Sequence, residues 1–266
     1  MLEVICKKAK QKIYHHPILC LHGAQGGAWY FERYLDYFSK QGYDVYAMSL
    51  RGHGKSDGYE NIDTYGLDDY VLDLIRVLES FNEKPILFAH SMGGAIAQKC
   101  LNQHQDKLHA LFLLSSAPAG GIDPSSDLGL YYTDQMAFLR KVKKEKGKHV
   151  TFDMLMKETV FSPYFKDSEI DAIRRKLTKE SDKVKDDLLK SFLKDDVIIK
   201  IPVFVFGSKA DGILSIEDIY KTARRFNQEP IFVDKLSHFV TLDPYYMDLV
   251  IEVEKKLIEL IRNDRK

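Results

Sequence analysis

The sequence contains little cysteine: three residues among 266, at Cys6, Cys20 and Cys100. The number is odd and no spacing resembles a metal site, so neither a disulfide framework nor a metal is expected. Cys20 falls in an apolar run and Cys100 in a helical pattern, and both are therefore expected to be buried thiols. A chain without disulfides is typical of a reducing compartment, and the expected location is cytoplasmic. Nothing in the sequence calls for a cofactor.

The sequence also lacks an excess of charge and a long apolar run. Its 39 basic and 39 acidic side chains cancel, so no net field draws the chain to nucleic acid or to an anionic membrane. No stretch approaches the roughly 20 apolar residues of a membrane span, so stable membrane insertion is not expected. The first eight residues include the acidic Glu3 and lack the apolar run of a secretory signal. The sequence leaves the oligomeric state open.

What the sequence does contain is an alternation of apolar strand runs with helical patterns, which predicts an α/β fold with a mainly parallel sheet flanked by helices. Hydrophobic residues make up 45% of the chain, enough for one large core. Strands are predicted near residues 17–21, 43–49, 85–90, 109–114, 202–207 and 230–234. Helices are predicted near residues 30–40, 64–80, 92–104, 215–226 and 245–262.

The stretch from 118 to 197 interrupts the alternation and is too long to be structureless. Helical patterns rich in charge, such as residues 167–177, predict an inserted helical cap over the site, with the core formed by 1–117 and 198–266. The inner face of the cap is expected to draw on its apolar residues, most of which form the core of the cap while a fraction line an apolar pocket. These residues are Leu128, Leu130, Tyr131, Tyr132, Met136, Phe138, Leu139, Phe152, Met154, Leu155, Met156, Phe161, Tyr164 and Phe165.

The most informative segment is Ala-His-Ser-Met-Gly at residues 89–93, between an apolar strand run and a helical run. A strand that turns sharply into a helix strains the corner residue and exposes its side chain, and small residues are needed two positions to either side. Ala89 and Gly93 meet that need, and Gly94 lets the helix lie close to the sheet. The pattern predicts that Ser91 is a nucleophile at a helix N-terminus, although an N-cap serine is the commoner role at such a place.

A serine nucleophile needs a base, and the base needs a group that orients it. Where the serine stands at a strand–helix corner of this kind, the acid and then the histidine follow it along the chain, each after a later strand. Asp211 follows the strand predicted near 202–207, and His238 follows the strand near 230–234, so these are the predicted acid and base. Asp123 and Asp127 are alternative acids, since both follow the strand predicted near 109–114, which comes earlier in the chain than the strand near 202–207.

The intermediate of acyl transfer also needs two donors for its oxyanion. The backbone N–H of Met92 is one candidate. The Gly-rich loop at 22–27 follows the first strong strand and offers the N–H of Ala24 as the second. A phosphate cradle is disfavoured for this loop, because no Lys-Ser/Thr pair follows the glycines and the spacing is not that of a dinucleotide-binding loop.

Taken together, these segments resemble the α/β-hydrolase superfamily over nearly the whole chain. The similarity lies in Leu-His-Gly at 21–23, Arg-Gly-His-Gly-Lys-Ser-Asp-Gly at 51–58, the segment 89–94, and the loops around Asp211 and His238. One departure is Ala89, where glycine is commoner. Another is that only about sixteen residues precede the first strong strand, so one edge of the family's usual eight-stranded sheet is expected to be shortened or lost. The resemblance implies a catalytic triad of Ser91, Asp211 and His238 with oxyanion donors at Ala24 and Met92. Three further histidines, His22, His53 and His90, are expected to be architectural and to hold loops by hydrogen bonds.

The function predicted from the sequence is that of a serine esterase, acting through an acyl-enzyme on small-molecule carboxylic esters with an apolar acyl group. The resemblance places it near carboxylesterases, monoacylglycerol lipases and lysophospholipases. The same machinery also serves thioesterases, amidases or peptidases, acyltransferases and carbon–carbon bond hydrolases, and a ligand receptor with slow turnover is a further alternative. The sequence alone does not determine which of these substrates the protein acts on.

Overall fold

The computed structural model describes residues 1–126, 129, 130, 133–146, 154, 157 and 159–264. Its strands are β1 (Val4–Lys7), β2 (Ile18–Leu21), β3 (Val45–Met48), β4 (Ile86–His90), β5 (Ala110–Leu114), β6 (Val203–Ser208) and β7 (Ile231–Val233). Its helices are α1 (Glu32–Lys40), α2 (Leu67–Leu78), α3 (Met92–His104), α4 (Gln135–Lys146), α5 (Asp167–Arg174), α6 (Asp182–Leu188), α7 (Ile216–Arg225) and α8 (Met247–Asp264). Short 3₁₀ turns cover Ala28–Phe31, Tyr59–Thr64 and Gln105–Lys107.

Within the described residues, the strands form one seven-stranded sheet in the order β1-β3-β2-β4-β5-β6-β7. Every pairing is parallel except that of β1 with β3, in which Val4 lies opposite Met48. The predicted fold class is therefore confirmed. Strand β1 was not predicted, because its residues are mostly exposed and form no apolar run. These four residues form the edge of the sheet that was expected to be shortened or lost.

The central strands are apolar because helices cover both faces of the sheet. Every residue of β2, β4 and β5 is buried, which requires near-continuous hydrophobic runs in place of alternation. Cys20 in β2 and Cys100 in α3 are buried free thiols, as predicted, whereas Cys6 is exposed. Because parallel strands end at a common edge, the loops after β2, β4, β6 and β7 meet at one side of the sheet.

The predicted helices are present, with boundaries that differ where local geometry decides. Helix α3 spans the predicted residues 92–104. The helix predicted at 64–80 is limited to Leu67–Leu78, because the residues before it form a 3₁₀ turn. At α7, the Ser215 hydroxyl accepts the N–H of Asp218, and the Asp218 side chain accepts the N–H of Ser215. This capping box sets the start of the helix.

Residues 115–202, called here the β5–β6 segment, connect two neighbouring strands and contain α4, α5 and α6. The helix expected at 167–177 ends at Arg174. Phe161 and Phe165 are buried in the main core, whereas Phe138 and Leu139 are buried in a small separate cluster.

Other residues expected on the inner face lie elsewhere. Met136, Met154 and Tyr164 are exposed, and Leu130 packs against the small cluster. Six more lie outside the described residues: Leu128, Tyr131, Tyr132, Phe152, Leu155 and Met156. In the part of the chain that is described, no helix combines the length and apolarity that crossing a bilayer requires.

Candidate active site

Ser91 occupies a sharp corner between β4 and α3. Its backbone angles are φ 52° and ψ −118°, a left-handed value of φ that a residue with a side chain rarely adopts. The Ser91 carbonyl accepts the N–H groups of Gly94 at 2.9 Å and Ala117 at 3.1 Å. These bonds stabilise the strained corner and keep the hydroxyl at the N-terminal end of α3.

Small residues permit the close contact of α3 with the neighbouring loops. A Cβ atom at Gly93 would lie 2.4 Å from the carbonyl oxygen of His22, and one at Gly94 would lie 2.0 Å from Ser116 Oγ. Neither position has room for a side chain. Ala89 is fully buried, so a methyl group is accommodated where the related pattern usually has glycine.

The structure brings Ser91, His238 and Asp211 into one chain of hydrogen bonds. Ser91 Oγ lies 2.9 Å from His238 Nε2, and His238 Nδ1 lies 3.0 and 3.1 Å from the two carboxylate oxygens of Asp211. A carboxylate only accepts, so Nδ1 carries the proton and Nε2 is free to accept the Ser91 hydroxyl. Of the alternative acids, Asp123 is exposed and bonds Ser125, and Asp127 lies outside the described residues.

Asp211 is buried, and burial alone would raise its pKa. Electrostatic attraction to His238 and its hydrogen bond, with the N–H groups of Leu214 and Ile213, outweigh burial and lower the pKa below its usual value. These two N–H groups reach Oδ1 at 3.0 and 2.9 Å. Asp211 is thus held ionised and in one orientation, which is what fixing the tautomer of His238 requires.

The loop that carries His238 is held by polar groups that sequence reasoning did not select. Ser208 Oγ, at the end of β6, donates to the carbonyl of Leu236 at 2.6 Å. The buried Asp243 carboxylate accepts the N–H and the hydroxyl of Ser237 at 3.0 and 2.9 Å. In the sequence, Asp243 stands in Leu-Asp-Pro at 242–244, shortly after His238.

His22 and His90 are fully buried, and burial lowers the pKa of each to about 3. His22 Nδ1 donates to the carbonyl of Gly23 at 2.7 Å, and its Nε2 accepts the N–H of Leu50 at 3.1 Å. His90 Nε2 donates to the carbonyl of His238 at 2.8 Å. Both rings are therefore neutral and bond the backbone, the architectural role predicted for them.

The two predicted oxyanion donors lie beside Ser91. Met92 is the first residue of α3, and a first-turn N–H has no acceptor within its own helix. Ala24 lines the same cavity as Ser91, and within the described part of the chain its N–H has no acceptor. Gly23, which precedes it, approaches so closely that a Cβ there would lie 2.9 Å from Ser91 Cβ.

A cavity opens above Ser91 and His238, with about 620 Å³ of empty space counted out to the solvent. Val160, Ile213 and Phe239 supply apolar wall. Gln25, Glu180 and Lys185 supply the polar part, the last two from the β5–β6 segment. None of the described cap residues predicted for the inner face lines this cavity; Phe161 instead packs its ring against Phe239, with centroids 5.1 Å apart.

Glu180 is the main feature of the site that sequence reasoning missed. Its side chain is 1% exposed, and its Oε2 lies 3.1 Å from His53 Nε2. The second ring nitrogen of His53 faces the carbonyl of Arg51 at 3.1 Å. His53 thus holds its own loop, as predicted, and also bonds the β5–β6 segment. Burial alone would lower the pKa of His53, but Glu180 reverses this effect and the pKa is raised.

Two groups of three residues place metal-ligating atoms within 4.8 Å of one another in the described part of the chain. His16, His109 and Asp264 form one group, and His15, His16 and Glu83 form the other. Both lie at the sheet edge opposite the cavity, where β2 and β5 begin. The rings of His16 and His109 are stacked, with centroids 3.7 Å and planes 11° apart, so their nitrogen lone pairs do not converge on one point.

Comparison with known proteins gives the same fold. The sequence profile of the alpha/beta hydrolase fold family matches residues 16–245. Methylesterase 9 of Arabidopsis thaliana is 27% identical over 153 residues, covering 56% of this chain and 59% of that protein. The AB hydrolase superfamily protein YisY of Bacillus subtilis is 32% identical over 137 residues, covering 50% of each. The chain thus spans about half the length of these curated relatives.

Among solved structures, an esterase from Exiguobacterium antarcticum superposes with a TM-score of 0.74 at 18% identity, covering 98% of this chain and 95% of that one. At this level of sequence identity, the structural similarity shows that the two proteins share a fold. The family match extends over most of the chain, and the protein belongs to the α/β-hydrolase family.

Proposed function

We propose that this protein is a serine hydrolase that cleaves carboxylic esters with an apolar acyl group. The observation that carries the proposal is the relay from Ser91 Oγ to His238 Nε2, at 2.9 Å, and from His238 Nδ1 to the buried Asp211 carboxylate. The carboxylesterase, monoacylglycerol lipase and lysophospholipase types all share this chemistry. The similarity to a plant methylesterase supports ester cleavage as the reaction class.

In the proposed reaction, His238 Nε2 accepts the proton of Ser91 as Oγ attacks the ester carbonyl. The N–H groups of Ala24 and Met92 bind the oxyanion that forms. Protonated His238 then gives its proton to the alcohol, which leaves as the carbonyl re-forms. A water molecule repeats the sequence on the acyl-enzyme and releases the acid. Asp211 remains ionised, orients the imidazole and stabilises its charged form.

The cavity walls support the choice of acyl group. Val160, Ile213 and Phe239 offer hydrocarbon surface beside Ser91, and burying an apolar chain there releases about 0.8 kcal/mol for each methylene group. Gln25 and Lys185 at the same cavity offer polar surface to the ester's alcohol side.

The domain organisation forms part of the proposal. The core comprises 1–117 and 198–266, and 118–197 is a cap that covers the site. Val160, Glu180 and Lys185 lie in that stretch and line the same cavity as Ser91, which supports a role of the cap in holding substrate.

The test is hydrolysis of p-nitrophenyl esters of increasing acyl length, combined with labelling by a fluorophosphonate and mass mapping of the adduct. Wild type should turn over repeatedly and carry the label on Ser91, while Ser91→Ala should lose about 10⁶-fold in kcat. The matched control is Ser115→Ala. Ser115 is also a buried serine at a strand end with positive φ, 42°, and its hydroxyl has no partner among the described residues.

Equal hydrolysis by wild type and Ser91→Ala would contradict the proposal. A single turnover followed by retention of the product would indicate a receptor. Repeated cleavage of matched thioesters or amides in preference to esters would indicate one of the other hydrolases on this fold.

A further inference from the structure

Glu180 lies in the β5–β6 segment, and its carboxylate accepts hydrogen bonds from three separate parts of the core. The N–H of Gln25 reaches Oε2 at 2.9 Å, and His53 Nε2 reaches the same oxygen at 3.1 Å. The Tyr70 hydroxyl reaches Oε1 at 3.1 Å, and the N–H of Ser181, the next residue, reaches it at 2.9 Å. Both oxygens therefore have two donors, and Glu180 is fully engaged with protein groups.

These contacts hold Gln25 from both sides. While Glu180 accepts the Gln25 N–H, the Gln25 carbonyl accepts the N–H of Thr178 at 2.9 Å and its hydroxyl at 3.3 Å. Gln25 has a φ of 62°, a left-handed conformation that needs support in a residue with a side chain. Residues 178–180 provide that support from a segment about 155 residues further along the chain.

Gln25 is the neighbour of Ala24, one of the proposed oxyanion donors. The peptide group that carries the Ala24 N–H has the Gly23 carbonyl at its other end, and His22 Nδ1 donates to that carbonyl at 2.7 Å. The N–H of Gly26 reaches the same carbonyl at 3.3 Å. The peptide between Gly23 and Ala24, which carries the Ala24 N–H, is thus fixed by His22. The peptide between Ala24 and Gln25 is fixed by Glu180. Ala24 lies between two fixed peptide planes, which set the direction of its N–H.

The charge of Glu180 matters to this arrangement. Both ring nitrogens of His53 face acceptors, Glu180 and the Arg51 carbonyl, so the ring carries two protons and is a cation. Glu180 and His53 form a buried ion pair, with side-chain exposures of 1% and 0%. A carboxylate in this state has no proton to give and no free lone pair directed at the substrate, and so it does not take part in proton transfer.

We infer that Glu180 is a positioning residue of the oxyanion site: it anchors Gln25, and through Gln25 it holds the Ala24 N–H where the oxyanion forms. This inference rests on the proposed function. It assigns the β5–β6 segment a part in assembling the catalytic site, in addition to covering it.

The inference predicts a specific kinetic change. Glu180→Met keeps the approximate size of the side chain but removes both accepting oxygens, so the Gln25 N–H loses its acceptor. The expected result is a fall of about 10²-fold in kcat for a p-nitrophenyl ester, the loss typical of removing one oxyanion donor. KM should change less than about threefold, because the apolar walls of the cavity are untouched.

A trifluoromethyl ketone provides the second readout, since it adds Ser91 Oγ and forms an anion that resembles the intermediate. Its inhibition constant should rise by the same factor by which kcat/KM falls. The matched control is Asp73→Asn. Asp73 is also a buried carboxylate, paired with Arg51 at 2.7 Å, but it makes no contact with Gln25. This variant should lose stability and keep kcat within about threefold.

Because Glu180→Met leaves the His53 cation buried without its partner, a second variant guards against simple unfolding. Glu180→Met with His53→Leu removes both charges and replaces them with apolar groups of similar size, an exchange that often preserves stability. Folding is checked by near-ultraviolet circular dichroism and Tm. The double variant should regain thermal stability and still show the same loss of kcat and of ketone affinity, since Gln25 has no acceptor in either protein.

Recovery of kcat together with stability in the double variant would overturn the inference, because Glu180 would then be only structural. So would a Glu180→Met variant whose kcat and ketone affinity stay within about threefold of wild type. In both results wild type still hydrolyses the ester and is labelled at Ser91, so the proposed function stands. If Ser91 is not labelled in wild type, the proposed function fails and the inference falls with it.

Discussion

His90 directly precedes Ser91 in the chain, and its Nε2–H donates to the main-chain carbonyl of His238 at 2.8 Å. The centroids of the two imidazole rings lie 5.1 Å apart. The end of β4 thus leads into Ser91 and also holds the loop that carries His238. The separation of the proposed nucleophile and base is thus fixed by His90, the last residue of β4, and by Ser91, which follows it.

Replacing His90 should therefore affect catalysis without removing a reacting group. In His90→Leu, the buried carbonyl of His238 loses its donor, which costs about 1–3 kcal/mol of unfolding free energy. A base displaced by about 1 Å loses about 10²-fold in kcat, with little change in KM. Ester kinetics and urea unfolding measure the two effects. His104→Leu, at the far end of α3, serves as the control, and equal kcat in both variants would contradict the role of His90.

Asp211→Asn tests the orientation of the base. An asparagine can present its NH₂ group to Nδ1, which stabilises the tautomer with the proton on Nε2, and that tautomer cannot accept from Ser91. The expected fall in kcat is about 10⁴-fold, with the folded structure retained. Asp123→Asn, at the alternative acid, should leave kcat within about twofold. The reverse result would transfer the role of the acid to Asp123. Steady-state kinetics on one p-nitrophenyl ester decide between the two.

The two buried neutral histidines predict how stability depends on pH. His22 and His90 have a pKa of about 3 in the folded chain and 6.5 as the ordinary value, so between these pH values the unfolded chain binds the additional protons. Stability therefore rises with pH over this range. Each histidine contributes a slope of about 1.4 kcal/mol per pH unit.

Urea unfolding between pH 4 and pH 6 measures this slope. In His90→Leu it should be smaller than in wild type by about 1.4 kcal/mol per pH unit. An unchanged slope would mean that His90 titrates alike in the folded and unfolded chains.

The contact between α3 and the end of β5 predicts a sharp difference between two glycines. Gly94→Ala places a Cβ atom 2.0 Å from Ser116 Oγ, whereas no atom of the described residues lies within 4 Å of a Cβ at Gly120. Overpacking of this kind costs about 1–3 kcal/mol, so Gly94→Ala should lower the free energy of unfolding by that amount. Gly120→Ala should change it by less than about 0.5 kcal/mol. Denaturant midpoints at constant slope are the measurement, and equal midpoints would show that α3 shifts to relieve the contact.

Much of the fold could be predicted because its signals are local. Strands β2, β4 and β5 are buried on both faces, so their sequences are continuous apolar runs. Helix α3 was predicted to its ends because small residues and a strand–helix junction bracket it. Strand β1 was missed because four mostly exposed residues at a sheet edge carry neither an apolar run nor an alternation.

The candidate site divides in the same way. Asp211 and His238 were selected because each follows a strand in the required order, a pattern visible along the chain. Glu180 was not selected, since it lies in a stretch rich in lysine, aspartate and glutamate, where a charge usually faces solvent. Its burial depends on donors at Gln25, His53 and Tyr70 that the sequence places more than 100 positions away.

The sequence by itself determined the order of the apolar runs that form strands and the strained corner at Ser91. It also determined the residue types, an acid and a histidine, that follow later strands. These properties depend on neighbouring residues, whose spacing and size are written along the chain. Only the tertiary structure decided which polar side chains are buried and what they bond. A buried charge is retained where distant segments bring enough donors to replace water, and no local pattern contains that information.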